Sequence, residues 1–371
     1  METTRPLGLY IHIPFCRSKC AYCDFYSLPG AEDRMDAYLG ALRASLRAAA
    51  PRAAGYTVDS VYFGGGTPSL FGAARLAAAL GEIRRLFSTA PDAEFTFEAN
   101  PESARDADAL RTLREAGFNR ISLGMQSADD AELRAVGRIH SAADTAAAVA
   151  AARAAGFGNL SLDLILGLPG QTRASWRESL DAACALAPEH LSCYGLKVEP
   201  GTPLWARRER AALPDDDAQA DMYLDAVDFL AARGWAQYEI SNFARPGFES
   251  RHNLKYWTLG EYLGFGPGAH SDFGGRRFAV ERDLDAFLAG TARRSEDAAV
   301  PPRERAAERV MLGLRTARGL DAETLAGAED VLRECAAHGL AEQNGKTWRL
   351  TPRGFLVSNA VILRVQEALG L

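Results

Sequence analysis

Three cysteines near the amino terminus have a spacing that suits an iron–sulfur cluster. They lie in the segment C-R-S-K-C-A-Y-C at residues 16–23, a C-x3-C-x2-C arrangement. Three thiolates on one short loop can hold three irons of a cubane cluster, which leaves the fourth iron open to an exogenous ligand. Zinc is the alternative, but a zinc site needs a fourth ligand and usually paired C-x2-C spacing, and no later Cys pair is present. The spacing therefore favours Cys16, Cys20 and Cys23 as cluster ligands.

The other cysteines are scattered along the chain. Cys184 and Cys193 fall in helix-like and strand-like runs, and Cys335 lies near the carboxyl end. A disulfide framework would be denser and would occur in a smaller secreted chain. We therefore predict that these three are small core residues.

Glycines and polar residues follow the predicted strands at the points where the strands end. The run F-G-G-G-T-P at residues 63–68 is either a tight turn or a loop whose backbone approaches a ligand closely. It is no Walker loop, because no Gly-Lys-Ser/Thr follows. Glu98, Gln126 and Asp163 interrupt apolar runs, and Arg138 could pair with a carboxylate through two hydrogen bonds. Each of these alone also fits a solvated or capping role, whereas together they indicate a site.

The elements that must position these residues alternate between strand and helix. The predicted strands are Leu7–Phe15, Ser60–Gly64, Glu94–Ala99, Arg120–Gly124, Asn159–Leu166 and His190–Leu196. The predicted helices are Arg34–Ala50, Gly72–Phe87, Asp106–Ala116, Ser141–Ala155 and Ala174–Ala187. This alternation predicts an α/β fold with a parallel sheet, and a doubly wound sheet and a partial barrel both fit it. In either case functional loops lie at the carboxyl ends of the strands.

The pattern loosens after about residue 200. Asp221–Arg233 is predicted to be helical, Ala236–Asn242 a strand, and the Gly-rich stretch at residues 263–271 a loop. Pro301 and Pro302 mark a linker, and the remainder resembles a small winged-helix-like module. We therefore expect three domains, covering residues 1–240, 241–300 and 301–371.

Composition limits the classes of function. The 371 residues include 42 Lys+Arg and 48 Asp+Glu, which gives a net charge of −6. This acidic balance weakens any interpretation as a general nucleic-acid binder. The amino-terminal residues show no signal-peptide pattern, and no apolar run is long enough to cross a membrane. We expect a cytoplasmic protein whose clustered thiols bind a metal.

The cysteine spacing, with Tyr22 just before the third Cys, resembles the signature of the radical S-adenosylmethionine (SAM) superfamily. The resemblance implies a partial (β/α)6 TIM-like barrel with the winged-helix-like module at its carboxyl end. It also implies a [4Fe-4S] cluster whose open iron chelates SAM. In an active member, an electron passed to SAM releases a 5′-deoxyadenosyl radical.

Further motifs resemble the coproporphyrinogen-oxidase-like branch of that superfamily. They are Y-I-H-I-P-F-C at residues 10–16, the G-G-G-T-P run, E-A-N-P at 98–101, G-L-P-G at 167–170 and G-P-G-A-H-S at 266–271. By motif match, the resemblance implies that the SAM contacts are Tyr10, Tyr22, Gly65, Gly66, Thr67, Glu98, Gln126, Arg138, Asp163, Gly195 and His270.

Two kinds of protein in this branch must be separated. The coproporphyrinogen III dehydrogenase has an extra Cys two residues after the third ligand, where this sequence has Phe25. The segment H-N-L-K-Y-W at residues 252–257 instead matches the HNxxYW motif of the heme-chaperone family. The resemblance implies heme contacts at His252, Tyr256 and Trp257, because imidazole is a common heme ligand and aromatic faces suit a porphyrin.

Alternatives to that heme site stay open. Lys255 or Arg251 could meet a propionate, and His12 and His270 are rival axial ligands. Without the resemblance, the same segment fits a surface loop with an exposed His and a Tyr-Trp pair packed in the core.

The resemblance therefore favours a protein that binds heme and transfers it to acceptor proteins, such as respiratory membrane enzymes. The alternatives are an active radical SAM enzyme that acts on a porphyrinogen, and a radical SAM RNA-modifying enzyme, against which the acidic charge counts. No nucleic-acid partner is expected, and a homodimer is left open.

Overall fold

The structure, a computed structural model, describes residues 4–371. Its first half alternates strands and helices as the sequence predicts. The strands are β1 (Arg5–Ile13), β2 (Phe15–Cys16), β3 (Leu28–Pro29), β4 (Tyr56–Gly65), β5 (Thr89–Ala99), β6 (Arg120–Gln126), β7 (Leu160–Leu166) and β8 (His190–Gly195). The helices are α1 (Met35–Ala49), α2 (Pro68–Phe71), α3 (Ala73–Leu86), α4 (Ala107–Ala116), α5 (Asp130–Ala135), α6 (Ala142–Ala154) and α7 (Arg173–Ala185).

The second half is more mixed. Its helices are α8 (Pro203–Ala206), α9 (Asp216–Ala231), α10 (Arg251–Trp257), α11 (Leu284–Leu288), α12 (Pro302–Gly313), α13 (Glu329–Ala337), α14 (Pro352–Leu356) and α15 (Ser358–Ala368). Its strands are β9 (Ala236–Glu239), β10 (Asn242–Ala244), β11 (Tyr262–Phe265), β12 (His270–Phe273), β13 (Arg276–Val280), β14 (Arg294–Ala299), β15 (Leu320–Asp321), β16 (Ala341–Asn344) and β17 (Thr347–Leu350).

One large sheet carries the fold. Its twelve strands lie in the order β14-β13-β12-β11-β1-β4-β5-β6-β7-β8-β10-β9. The strands from β11 to β8 are parallel, and the flanking pairs on both sides are antiparallel. The predicted parallel strands follow one another in chain order, whereas a doubly wound sheet would reverse direction at a switch point. The predicted partial barrel is therefore confirmed.

Side-chain caps set the helix bounds within the barrel. Asp106 accepts hydrogen bonds from two backbone N–H groups at the start of α4, and Ser141 forms a capping box at the start of α6. Gly117 ends α4 with a φ of 109°, and Gly156 follows α6 with a φ of 89°. Both glycines directly follow the predicted helices Asp106–Ala116 and Ser141–Ala155, and glycine tolerates the left-handed conformation there.

The two faces of the parallel strands differ in character. The outward-facing residues pack in the main apolar core, as Val61, Phe97 and Leu162 do, each fully buried. The inner face is lined by polar side chains that include Thr96 and Arg120, both also buried. The interior of a TIM barrel is usually filled by branched apolar residues, so this polar lumen is a departure from the common pattern.

The prediction of a loop throughout residues 263–271 is wrong. Those residues include most of β11 and the first two residues of β12, and only the turn between the strands is irregular. The strands approach so closely that a Cβ on Gly264 would overlap the carbonyl oxygen of His270. The Gly264 N–H donates to Ser271 Oγ over 2.9 Å. Glycine at this position permits the two strands to pair closely. The sequence predicted a loop instead, because glycine is also frequent in turns.

Three further differences concern the segments after residue 200. The predicted strand at residues 236–242 is a hairpin of β9 and β10, and the helix predicted from Asp221 begins at Asp216, capped by Asp215. The carboxyl-terminal region contains helices α12 and α13, a three-stranded sheet in the order β15-β17-β16, and a final helical segment divided into α14 and α15. Within residues 4–371, no helix is both long and apolar enough to span a bilayer.

Candidate cofactor site

A cavity of about 450 Å³ opens at the carboxyl ends of the parallel strands. This is where a parallel α/β fold places its functional loops. Its lining combines the cysteine loop with the polar ends of β4 to β8. The lining residues are Cys16, Ser18, Lys19, Cys20, Tyr22, Cys23, Asp24, Phe25, Ser27, Tyr62, Gly65, Gly66, Thr67, Glu98, Ala99, Asn100, Ser122, Gly124, Gln126, Arg138, Asp163, Ile165, Tyr194, Gly195, Leu196, Lys197 and Glu199.

The three clustered cysteines all face this cavity as half-buried free thiols. Burial raises the pKa of the Cys16 and Cys23 thiols, which disfavours free thiolates there. A bound iron cluster would supply positive charge, and a coordinating thiol is deprotonated outright. In residues 4–371, no three His, Cys, Asp or Glu side chains are arranged to hold a single metal ion. Three thiols facing one space fit a several-iron cluster better than the zinc alternative.

Backbone hydrogen bonds hold the cysteine loop in place. The Ala21 N–H donates to Val136 O over 2.9 Å, and the Leu204 N–H donates to Ala21 O over 2.8 Å. The Thr67 hydroxyl lies 3.3 Å from Cys16 Sγ. These contacts position the thiols from three separate parts of the chain.

The glycine-rich loop packs directly on the strand that leads into the cysteine loop. The Gly66 N–H donates to Ile13 O over 2.8 Å, and the Thr67 N–H donates to Phe15 O over 2.7 Å. A Cβ on Gly66 would lie 2.6 Å from Phe15 O, and Gly65 has a φ of 109°. The glycines are required here for close approach of two backbones and for a left-handed residue.

Two carboxylates form the floor of the cavity. Glu98 accepts hydrogen bonds from the Tyr62 hydroxyl at 2.8 Å and from the Gly65 N–H at 3.2 Å. Asp163 accepts from Ser192 at 2.7 Å and from Ser122 at 3.1 Å. Burial raises the pKa of Glu98 to about 7 and raises the pKa of Asp163 in the same direction. Near neutral pH, this floor can therefore respond to the charge of whatever binds above it.

Arg138 and Gln126 lie on the side of the cavity formed by β6. Arg138 donates to Asn100 Oδ1 at 2.7 Å and to Gly124 O at 2.9 Å, and its Nη1 lies 3.5 Å from Cys20 Sγ. Gln126 has a φ of 64°, a left-handed backbone that is uncommon for a residue other than glycine. Such backbone outliers occur preferentially at ligand sites.

Nine of the eleven residues predicted to contact SAM line this cavity, and two do not. Tyr10 lies below it in the lumen, where its hydroxyl is 3.1 Å from His12 Nδ1. His270 is exposed at the start of β12, outside the cavity lining. The structure therefore brings together Tyr22, Gly65, Gly66, Thr67, Glu98, Gln126, Arg138, Asp163 and Gly195.

The HNxxYW motif lies on helix α10 and does not line the cavity, but it packs directly behind the lining residue Tyr62. His252 is fully buried, and its ring stacks on that of Tyr62 with centroids 5.4 Å apart. Its Nδ1 is 3.0 Å from Ser60 Oγ, and its Nε2 is 2.9 Å from the Tyr256 hydroxyl. Burial lowers the pKa of His252 to about 3, so the ring is neutral. Tyr256 and Trp257 are half-buried. The alternative of a surface loop with an exposed His is therefore wrong, because His252 is enclosed on a helix and both of its ring nitrogens have partners.

The candidate propionate partners near this motif already have partners of their own. The Lys255 ammonium lies 2.7 Å from Asp59 Oδ1, and Arg251 lies 3.2 Å from Asp92 Oδ2. His12 is buried, and its Nε2 is 2.8 Å from Tyr26 O.

Several residues at the cavity rim were not predicted from the sequence. Phe25 was noted only as the replacement for a Cys, yet its side chain is 68% exposed beside the cavity. Tyr194 also lines the rim and is exposed, while Ile139 and Trp205 are exposed on the adjoining segments. Exposed large apolar side chains often mark a binding surface. Lys19 and Lys197, two of only four lysines in the chain, also line the cavity, and that rarity was the available signal.

Comparison with known proteins gives two family matches. Residues 10–183 match the model of the radical SAM superfamily, and residues 300–357 match that of the HemN C-terminal domain.

Full-length relatives are similar along nearly the whole chain. The heme chaperone HemW of Mycobacterium tuberculosis is 42% identical over 96% of this chain and 94% of its own length. The Escherichia coli HemW is 37% identical over 96% and 97%. Among solved structures, coproporphyrinogen III oxidase (HemN) from Escherichia coli matches with a TM-score of 0.84 and 27% identity, over 98% of this chain and 90% of that chain.

Proposed function

The chain belongs to the HemW family of heme chaperones within the radical SAM superfamily, and on this premise we propose that it binds heme, a [4Fe-4S] cluster and SAM. The observation that carries the proposal is similarity to HemW over nearly the whole chain, in which Phe25 replaces the extra Cys of the dehydrogenase. The function is delivery of heme to acceptor proteins, and respiratory membrane enzymes are the acceptors we propose. We leave open whether a homodimer carries this out.

The cluster and SAM are assigned to the cavity at the strand ends. Cys16, Cys20 and Cys23 would hold the cluster, because three thiols face the same space and thiolates suit iron–sulfur chemistry. The cluster, when bound, supplies an open iron for SAM and an electron source. Glu98 and Asp163 offer negative charge to the cationic groups of SAM, and Arg138 holds the side of the site next to Cys20.

This chain has two candidate binding sites for heme. The first is the α10 motif, where an iron bond from His252 requires that the ring give up Ser60 or Tyr256 as a partner. The second is the cavity rim, where exposed Phe25 and Tyr194 offer apolar faces to a planar ligand. We propose that the HNxxYW motif supplies the ligand after α10 loosens, because that motif distinguishes this family.

Heme titration of the anaerobically reconstituted protein tests the proposal. We expect a Soret shift that saturates near stoichiometric heme. His252→Ala should weaken binding if α10 supplies the ligand, whereas Phe25→Ser should weaken it if the rim does. His338→Ala is the matched control, because His338 lies at the end of α13, which is distant in sequence from both candidate heme sites. No Soret shift at stoichiometric heme with the wild-type protein would reject the chaperone function.

An active radical SAM enzyme remains the second candidate. HemN from Escherichia coli matches this fold closely, and every residue that the motifs assign to SAM is present. Incubation with reductant, SAM and coproporphyrinogen III distinguishes the candidates. Formation of 5′-deoxyadenosine coupled to decarboxylation favours the enzyme, and SAM binding without decarboxylation favours the chaperone.

A further inference from the structure

Arg120 is an arginine buried in the middle of the barrel lumen. It lies at the start of β6 with 1% of its surface exposed. Its Nε and Nη1 atoms have no hydrogen-bond partner among the groups of residues 4–371. A charged group so placed is costly unless other charges compensate it. Its position therefore calls for an electrostatic explanation rather than a packing one.

The strand register places Arg120 directly below the cavity floor. Arg120 pairs with Thr96 of β5, and two residues further along the same strands Ser122 pairs with Glu98. Since alternate residues of a strand share a face, Arg120 points into the lumen one layer beneath Ser122 and Glu98. Ser122 in turn donates to Asp163. The guanidinium thus lies under the two carboxylates of the floor.

The positive charge of Arg120 offsets part of the negative charge of the buried carboxyls around it. Burial raises the pKa of Glu98 to about 7, and the nearby charge of Asp163 adds to the increase. Arg120 lowers the pKa of both carboxyls. A third carboxylate, Glu94, lies deeper and accepts the backbone N–H groups of Arg251 and His252.

We propose that Arg120 is a positioning residue, whose fixed positive charge beneath the floor lets Glu98 and Asp163 face a cationic ligand together. The inference rests on the proposed function, because SAM is the cationic ligand assigned to this cavity. Arg120 does not line the cavity and therefore acts through the two carboxylates.

Other titratable groups that face the lumen do not compete near neutral pH. Burial lowers the pKa of His12 to about 4 and that of His252 to about 3, and it lowers the pKa of His190 well below its usual value. The facing tyrosines all have a raised pKa, again because of burial: they are Tyr10, Tyr62, Tyr238 and Tyr256. Arg138 lies across the cavity and stays charged. Burial also raises the pKa of Glu239 to about 7, but that carboxyl does not line the cavity and is bonded to Ser241 and Asn242. Of the two floor carboxyls, Glu98 has a pKa of about 7 and is therefore the group expected to titrate near neutral pH.

The test measures SAM affinity between pH 6 and 8.5 by equilibrium dialysis of the cluster-reconstituted protein. We expect Arg120→Met to weaken binding at pH 7 at least tenfold and to move the pH midpoint upward, because more of the floor is protonated. Arg120→Lys keeps the charge and should keep the midpoint. Arg153→Met is the matched control, since Arg153 loses an ion pair with Glu189 far from the lumen.

Each outcome decides the inference. An unchanged midpoint in Arg120→Met, with lower thermal stability, shows a merely structural arginine and overturns it. If Arg120→Met does not fold, Arg120→Gln takes its place: a raised pH midpoint supports the inference, and an unchanged midpoint overturns it. Failure of both neutral variants to fold while Arg120→Lys folds shows a structural arginine and also overturns it. Wild-type protein that binds no SAM overturns the proposed function as well, so the two failures are distinguishable.

Discussion

The Nε2 atom of His252 lies 2.9 Å from the hydroxyl of Tyr256, one helical turn further along α10. Ser60 of β4 contacts the other ring nitrogen at 3.0 Å. Both ring nitrogens of His252 therefore have hydrogen-bond partners. One of these hydrogen bonds must break before that nitrogen can bind heme iron. A neutral imidazole makes that release feasible, because no buried charge is created.

Removing one of these hydrogen bonds should raise the affinity of the protein for heme. We expect Tyr256→Phe to raise heme affinity several-fold, because His252 Nε2 no longer has to give up a partner, and His252→Ala to lower it. Titration followed at the Soret band measures both. Tyr262→Phe is a matched control. Tyr262 packs edge-on against Tyr256, but it makes no hydrogen bond to His252, so its loss of a hydroxyl should leave heme affinity unchanged. Equal affinity in Tyr256→Phe and wild type would contradict the release of His252.

The cluster ligands can be separated from the other thiols by substitution. Replacing Cys16, Cys20 or Cys23 with Ala should abolish the brown chromophore, because three ligands are the fewest that hold a cubane with one open iron. Absorbance near the visible charge-transfer bands and bound iron measure the loss. Cys335→Ala, in a buried helix position, should keep the full cluster. A normal iron content in Cys20→Ala would exclude the ligand assignment.

Gly66→Ala should disrupt the glycine-rich loop. The new Cβ would lie 2.6 Å from Phe15 O and 2.8 Å from Ile13 O, and both are backbone atoms that cannot turn aside. We expect the free energy of unfolding to fall by about 1–3 kcal/mol and SAM binding to weaken. Chemical denaturation provides the measurement. Gly81→Ala, in helix α3 with no atom near its Cβ, should be neutral or stabilising.

The buried carboxyl of Glu239 makes stability depend on pH. It accepts the Ser241 N–H at 3.0 Å and an Asn242 amide, and burial raises its pKa from 4.5 to about 7. Because the unfolded carboxyl ionises first, stability falls as the pH rises from about 4.5 to 7 and remains lower above that. The full effect amounts to about 3 kcal/mol.

Glu239→Gln should remove that dependence. The variant should match the wild type near pH 5 and become progressively more stable than it towards pH 8, as followed by thermal melting at each pH. Glu115→Gln changes an exposed carboxyl on α4 and should show a constant difference. A constant difference for Glu239→Gln too would mean that the carboxyl is not neutral in the folded protein.

The periodicity of the sequence located the barrel strands and helices to within a few residues, because each strand is bounded by glycine or polar residues. The site followed from a topological rule, since Glu98 on β5 and Asp163 on β7 belong to parallel strands on either side of β6, whose carboxyl ends open on the same edge of the sheet. Features that depend on three-dimensional approach were not predictable. Gly264 looks like a loop residue until another strand lies against it, and nothing local to Gln126 signals a left-handed backbone.

Burial of polar side chains was the other unpredicted feature. His252 in a polar hexapeptide suggests an exposed ring, yet the inner faces of β1 and β4 enclose it. The sequence places Arg120 at the first position of a predicted strand and gives no sign of its burial, because an arginine there usually lies on the surface. Both side chains are buried because the barrel lumen is lined by polar groups. This polar lining is formed by several strands together, and no single segment of the sequence shows it.

The polar lumen also has a thermodynamic consequence. Apolar burial supplies most of the folding free energy, so a barrel with a polar interior draws its stability mainly from the helix-covered outer face. The ligand-free protein should then unfold at a modest temperature. Any molecule that binds only the folded barrel raises that temperature in proportion to the logarithm of its concentration above the dissociation constant. The shift of the unfolding temperature therefore reports ligand binding in this cavity without an assay of turnover.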